Sequence, residues 1–255
     1  MSTTSTGTTV IVDEGYDRLG KRVQQLLHKR GLQTLRVAAD KLSSCRIEVN
    51  AGHATCNGQS VATVLFHARP DSHFSDDFVE LDRAFSSNES RAVWLALLQL
   101  PSINSVNCLD AEVWYSSAEW AVWRRRLESA GVPLAEIVVG DSEPRNHWSW
   151  LPWGGGVIRS PGHLIRRTFA PAMVLTQDFK CSLWCYGEVV NGPMSRGVHA
   201  AAEVLRSYDV QLAMIMTDAF GRVISCTTHC QIPNAVVERV AKHIAEVFGA
   251  YLYCR

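Results

Sequence analysis

The chain has 255 residues, and its 25 lysines and arginines balance 25 aspartates and glutamates, so its formal net charge at neutral pH is zero. This balance produces no field that would attract nucleic acid or an anionic membrane. Hydrophobic residues make up 47% of the chain and charged residues 20%, which excludes disordered, collagen-like and coiled-coil architectures. One large or two small globular domains fit this length.

Neither a membrane segment nor a signal peptide is indicated. No stretch approaches the roughly 18 uninterrupted apolar residues of a membrane span, and the opening residues lack a basic region followed by an apolar one. Eight cysteines are too sparse in a chain of this length for a small secreted disulfide scaffold. We therefore expect a cytoplasmic protein with reduced thiols.

The N-terminal part alternates strand-like and helix-like segments. A buried-type strand at 8–13 precedes a helix over 16–30, in which apolar residues recur at helical spacing before Gly31. Further strands are predicted at 32–37, 46–49, 54–56 and 61–68, with turns at Ala51-Gly52 and Asn57-Gly58. This order predicts a small α/β domain.

Two Ser-x-x-Glu sequences predict helix starts in the middle of the chain. Ser86 and Glu89 have capping-box spacing and precede an apolar run. Ser116 and Glu119 have the same spacing and open a second predicted helix, which ends at Gly131. In both cases we interpret the glutamate as a helix-capping residue.

The second half of the chain begins with a loop-like segment at 140–162, which contains Trp148, Trp150 and Trp153 beside three consecutive glycines. This composition is typical of a mobile or binding segment, and a buried hydrophobic plug is the alternative. No Lys-Ser/Thr follows the glycines, so they do not form a phosphate loop. Strands are predicted at 164–169 and 179–186, a helix at 196–207, a hairpin at 210–228 and a helix at 234–248.

Several segments follow one another in an order that one family shares. Residues 85–89, Phe-Ser-Ser-Asn-Glu, lead through a helix to the strand that ends at Val106-Asn107. Asp178-Phe179-Lys180 and the strand pair 214–231 follow. This series resembles the ATP-grasp ligases that cross-link ribosomally made peptides of the microviridin (graspetide) type.

The resemblance implies both a fold and a role. The implied fold class is α/β plus α+β, with a pre-ATP-grasp-like α/β domain at 1–110 and a truncated ATP-grasp-like α+β domain at 111–255. The implied role is maturation of a ribosomally made peptide natural product, with a precursor peptide as partner.

Three positions depart from what the family needs to hold Mg²⁺. When the hairpin is aligned on Gly221, Met214 stands at the family's aspartate, Thr227 at its glutamate and His229 at its asparagine. Mg²⁺ demands near-ideal octahedral coordination by oxygen, which thioether and imidazole groups do not supply. We therefore expect no Mg²⁺ and no ATP as cofactor, and we interpret the protein as a pseudoenzyme.

Phosphate-binding cations are also missing. The family would place two lysines between Lys41 and Lys180, and this interval contains no lysine. Arginines at 124–126 and 166–167 could replace some phosphate contacts. An arginine run on a helix, however, is more often a solvated face.

The cysteines and carboxylates form no recognised catalytic motif. Cys181/Cys185 and Cys226/Cys230 have C-x3-C spacing, but residues four apart on a strand lie about 13 Å apart, so only cross-strand combinations could bind one ion. Buried structural cysteines are the alternative. Asp13 lies on an exposed-looking turn, and we interpret it as a surface charge.

Two functions from different classes remain open. The first is a protein that binds a precursor peptide or a partner ATP-grasp ligase without hydrolysing ATP, as a monomer or a homo-oligomer. The second is an ATP-independent peptide-modifying enzyme with His229 as acid or base and Cys230 or Cys185 as a second proton-transfer or nucleophilic group. The residues predicted to form the site are Lys180, Thr227, His229 and Cys230, with Asp178 beside them.

Overall fold

The computed structural model describes residues 7–15, 17–50, 52–68, 80–116, 119–135, 138–140, 149–150, 172–175, 180–230 and 232–254. The chain divides into two compact units, Met1–Asp110 with Gln231–Arg255, and Ala111–Cys230. None of the helices in the described part of the chain combines the length and apolar character that a bilayer crossing requires.

The described part of the first unit contains strands β1 to β6 and three α-helices. Its strands are β1 (Thr8–Asp13), β2 (Thr34–Ala38), β3 (Ile47–Asn50), β4 (His53–Cys56), β5 (Gln59–His67) and β6 (Asn104–Val106). The helices in the described residues are α1 (Arg18–His28), α2 (Glu80–Leu98), α3 (Ala111–Tyr115), α4 (Glu119–Ser129), α5 (Arg196–Ser207) and α6 (Val237–Tyr253), with a 3₁₀ helix at Ala39–Ser44. The first unit holds α1, α2 and α6.

The sheet of the first unit mixes parallel and antiparallel pairing. Strands β1, β2, β5 and β6 pair in parallel, in the order β2-β1-β5, with β6 also on β5. All six residues of β1 are buried, as expected for a parallel strand covered on both faces. Strands β3 and β4 extend the sheet as an antiparallel hairpin beside β5. The predicted α/β character of this part is confirmed.

Asp13 is not a surface charge, contrary to the sequence-based prediction. It ends β1 with no exposed surface, and its carboxylate accepts hydrogen bonds from Arg36 Nε (2.7 Å) and Nη2 (3.0 Å) and from the Gly15 N–H (2.8 Å). Asp17 caps α1 by accepting from the Leu19 N–H at 2.8 Å. The turn that follows β1 is therefore held by a buried ion pair.

Helix α6 packs within the first unit, whereas the sequence analysis placed it in a second domain at 111–255. Arg30 Nη1 donates to the Ala245 carbonyl at 2.7 Å, and the Tyr251 hydroxyl donates to the Ser102 carbonyl at 3.0 Å. The buried face of the helix includes Ile244 and Phe248. Helical periodicity shows which face is buried but not which element covers it, so the prediction was wrong on this point.

The second unit is α+β, as predicted. Its strands are β7 (Val138–Gly140), β8 (Ser149–Trp150), β9 (Ala172–Leu175), β10 (Lys180–Cys185), β11 (Glu188–Asn191), β12 (Leu212–Thr217) and β13 (Val223–Thr227). Four of them form an antiparallel sheet in the order β11-β10-β12-β13, and β8 and β7 flank β9 in a second sheet. Residues 149–150 lie inside the predicted loop, so part of that segment is strand.

Candidate functional site

The end of β13 and the start of α4 meet in a buried hydrogen-bonded group, which we call the Glu119 cluster: Glu119, Thr227, Thr228 and His229. Glu119 Oε1 accepts from the Thr228 N–H and hydroxyl, each at 2.6 Å. Oε2 accepts from the Thr227 hydroxyl at 2.9 Å and from His229 Nδ1 at 3.0 Å. The Trp123 indole N–H also donates to Oε1 at 2.9 Å. One carboxylate thus organises the whole turn after β13.

The Glu119 cluster keeps Glu119 ionised. The Glu119 and His229 side chains are only 13% and 12% exposed. Burial by itself would raise the pKa of Glu119, but the charge of His229 and the hydrogen bonds from His229 and Thr228 outweigh it and lower the pKa to about 2. The carboxylate therefore holds Nδ1 of His229 as an N–H donor. In the described part of the chain, Nε2 of His229 makes no hydrogen bond.

The lowered pKa of Glu119 predicts an acid-dependent loss of stability. A carboxylate with a folded pKa of about 2, against an ordinary value of 4.5, stabilises the fold above pH 4.5 and loses this contribution as the pH falls toward 2. The contribution is on the order of 3 kcal/mol. Urea unfolding of the wild type at several pH values in this range should show the loss as a slope of the free energy of unfolding against pH. In Glu119→Gln, the part of this slope that Glu119 causes should disappear. An unchanged slope in the variant would contradict the assignment.

Two of the positions that the resemblance aligned with metal ligands are neighbours in the sheet. Met214 on β12 lies directly opposite Thr227 on β13. The Thr227 hydroxyl and His229 Nδ1 already donate to Glu119, and a thioether is a poor partner for a hard cation. These three residues do not fit Mg²⁺. No group of three or more His, Cys, Asp or Glu side chains in the described segments has the arrangement of a metal site.

Lys180 does not lie with the Glu119 cluster, although it was predicted to bound the same site. It lies opposite Thr217 at the start of β10, whereas Thr227 lies opposite Met214. Thr217 and Met214 are three residues apart on β12, which corresponds to about 10 Å and to opposite faces of the sheet. Strand register, which the sequence does not show, separates the two positions. Asp178 lies outside the described residues.

Three of the four C-x3-C cysteines are buried, and Cys181 is partly exposed. Cys185 and Cys226 have no exposed surface and Cys230 is 6% exposed. Burial and the negative charge of Glu119 raise the pKa of Cys226. Cys226 lies opposite Ile215, which pairs with Ser182, three residues from Cys185, so the register separates the two thiols. A metal site built from these two strands is not formed.

The arginines of α4 are used inside the second unit. Arg124 donates from Nη1 to the Ile224 carbonyl at 2.9 Å and from Nη2 to the Ala135 carbonyl at 2.6 Å. The Arg126 guanidinium lies over the rings of Trp123 and Tyr208, with centroids at 5.0 and 4.3 Å. Two of the three arginines are therefore structural, which is neither the solvated face nor the phosphate contact considered from the sequence. Arginines 166 and 167 lie outside the described residues.

Glu119 is the site residue that sequence reasoning missed. Its spacing from Ser116 suggested a capping box, but the Ser116 N–H donates to the Val113 carbonyl at 3.3 Å, and both Glu119 oxygens accept from the turn after β13. Glu119 and His229 are 110 residues apart in the chain. No local pattern connects positions at that distance. Of the predicted binding tryptophans, Trp148 and Trp153 lie outside the described residues, and only the strand position of Trp150 is described.

The amino-acid sequence matches no family model and no curated protein. The structure, in contrast, is similar to that of the ATP-grasp ligase PsnB complexed with precursor peptide PsnA2 and AMPPNP, with a TM-score of 0.67, 15% identity and 99% of each chain covered. It is also similar to the macrocyclase MdnC bound with precursor peptide MdnA from Microcystis aeruginosa MRC, with a TM-score of 0.66, 11% identity, and 95% of this chain and 99% of that chain covered.

A third similar structure is that of D-alanyl-alanine synthetase A from Vibrio cholerae O1, with a TM-score of 0.56 and 10% identity, and with 98% of this chain and 100% of that chain covered. The chain therefore has the ATP-grasp fold. The predicted resemblance to the ATP-grasp ligases of ribosomal peptide maturation is confirmed at the level of the fold.

Proposed function

We propose that this protein takes part in the maturation of a ribosomally made peptide and binds the precursor peptide without ATP-dependent ligation. The fold supports the first half of this proposal, because PsnB and MdnC, which share it, have been captured with precursor peptides. The Glu119 cluster supports the second half, because it engages two of the three residues that align with the family's metal ligands.

The charge requirements of ATP chemistry explain why we exclude ligation. Phosphoryl transfer relies on cations that neutralise developing charge, chiefly Mg²⁺ with lysine or arginine. No lysine lies between Lys41 and Lys180, and Arg124 and Arg126 are committed to carbonyls and rings. A partner ATP-grasp ligase that supplies the ATP-dependent step is compatible with this role. A homo-oligomer is equally compatible with it.

The proposal predicts that millimolar MgATP leaves the melting temperature unchanged. A ligand at a hundredfold excess over its Kd adds about 2.7 kcal/mol, which for a chain of this size is a rise of about 5–10 °C. The positive arm first establishes whether a short peptide is encoded beside this gene. That peptide is then titrated by calorimetry, where we expect binding and no change in peptide mass. A MgATP-dependent rise, or an ATP-dependent loss of water from the peptide, would contradict the proposal.

The geometry of His229 favours a second candidate function, an ATP-independent modification of the peptide. Glu119 holds Nδ1–H, so Nε2 is the nitrogen that can accept or deliver a proton. This is the arrangement of a general base oriented by a carboxylate. Thr227 and Thr228 fix the same carboxylate and thereby the imidazole plane.

His229→Ala separates the two candidate functions. If His229 is a general base, a change in peptide mass or chirality should appear with the wild type and fall by about 10²–10⁴-fold in rate in the variant. Cys226→Ala serves as the control, because Cys226 is fully buried and should affect only stability. Mass spectrometry and chiral amino-acid analysis provide the readout. If the wild type and both variants leave the peptide unaltered, only the binding role remains.

A further inference from the structure

A pair of cysteines in the first unit, which the functional hypotheses do not use, is brought together by the β3–β4 hairpin. Ile47 lies opposite Cys56 in the register, and Cys45 is two residues before Ile47, so both thiols point to one face at diagonal positions. Arg46 and Asn57 continue the hairpin: the Arg46 N–H donates to Asn57 Oδ1 at 2.9 Å, and the Asn57 N–H donates to the Arg46 carbonyl at 2.8 Å.

The two cysteine side chains are neighbours that can share a hydrogen bond. As a thiol, Cys45 donates to the Lys41 carbonyl at 3.5 Å. When Cys45 is ionised, the Cys56 thiol and Asn57 donate to its sulfur instead. The hydrogen bond from Cys56 lowers the pKa of Cys45 despite partial burial, whereas the same bond and burial raise the pKa of Cys56. Cys45 is therefore the thiol of the pair that ionises first.

Exposure assigns different roles to the two sulfur atoms. Cys45 is half-buried, whereas Cys56 has no exposed surface. A partly exposed thiolate is the form that reacts with oxidants, and an adjacent thiol resolves the product. Cys45 is therefore suited to attack and Cys56 to resolve.

We propose that Cys45 and Cys56 form a peroxide-reactive thiol pair that closes to an intramolecular disulfide. The Cys45 thiolate attacks one oxygen of hydrogen peroxide, the O–O bond breaks, and Cys45 becomes a sulfenic acid while hydroxide takes up a proton as water. The Cys56 sulfur then attacks the Cys45 sulfur, the S–O bond breaks, and a second water leaves. Two thiols and one peroxide thus become one disulfide and two waters.

Hydrogen peroxide in small molar excess, added to the folded protein, tests this proposal. Intact mass spectrometry should show the loss of two hydrogens, reversed by dithiothreitol, and peptide mapping under non-reducing conditions should join the peptides of Cys45 and Cys56. Cys45→Ser should abolish the cross-link, and Cys254→Ser, which removes an exposed lone thiol, should retain it.

Two outcomes would overturn the proposal. One is a Cys45 sulfenic acid that dimedone traps while no disulfide forms. The other is oxidation of Cys254 while Cys45 and Cys56 stay reduced. The peptide mapping uses the wild-type protein. The test therefore does not require a Cys56→Ser variant, in which a change at a fully buried position would endanger folding.

Discussion

Replacing Glu119 by alanine is expected to lower the free energy of unfolding by about 3–5 kcal/mol, because the change removes the shared acceptor of a buried hydrogen-bond network. The variant leaves the Trp123 indole, the Thr228 N–H and the Thr227 hydroxyl without their acceptor in a buried site. Urea unfolding followed by tryptophan fluorescence measures the change. We expect this to be one of the two largest effects of a single substitution in the described part of the chain.

Glu128→Ala is the matched control for Glu119→Ala. Glu128 lies on the same helix with an exposed side chain, so its replacement should change stability by no more than about 0.5 kcal/mol. If Glu119→Ala also cost less than about 1 kcal/mol, the Glu119 cluster would not hold the turn after β13. The proposed orientation of His229 would then lose its basis.

Replacing Asp13 by alanine is the second large expected effect, again about 3–5 kcal/mol. The fully buried Asp13 carboxylate is the acceptor for Arg36 Nε and Nη2 and for the Gly15 N–H. Its removal takes away the main partner of the Arg36 guanidinium and leaves the Gly15 N–H without its acceptor. Urea unfolding of the full chain should show a lowered midpoint with an unchanged slope.

Asp40→Ala is the control for the Asp13 prediction. The Asp40 side chain is 60% exposed and 3.9 Å from Lys41, so its loss should be close to neutral. A similar cost for both variants would show that the effect is general surface charge rather than the buried pair with Arg36. Equal and small costs would restore the view of Asp13 as a surface residue.

The two candidate functions place the same residues in different roles. In the binding role, Glu119 and His229 form a structural pair that fixes the turn after β13. In the modifying role, the same hydrogen bond orients His229 so that Nε2 can transfer a proton. Stability measurements on Glu119→Ala test the shared geometry, whereas peptide analysis with His229→Ala tests only the chemistry.

Local features of the fold follow from the sequence alone. The apolar run of β1, the helical spacing of α1 and the turn at Asn57-Gly58 depend on residues a few positions apart, and the structure shows the strand, the helix and positive φ angles of 50° and 77° at that turn. The α/β and α+β classes follow from the order of such elements. The resemblance to ATP-grasp ligases also rests on this order.

Only the tertiary structure decided which distant side chains meet. Packing and strand register determine three such features: the position of α6 in the first unit, the separation of Lys180 from Thr227, and the hydrogen bond from His229 to Glu119. Hydrophobic periodicity relates residues that are only a few positions apart in the sequence. The contact between Glu119 and His229, in contrast, joins positions 110 residues apart. Glu119 therefore looked like a helix cap in the sequence and became the centre of the candidate site in the fold.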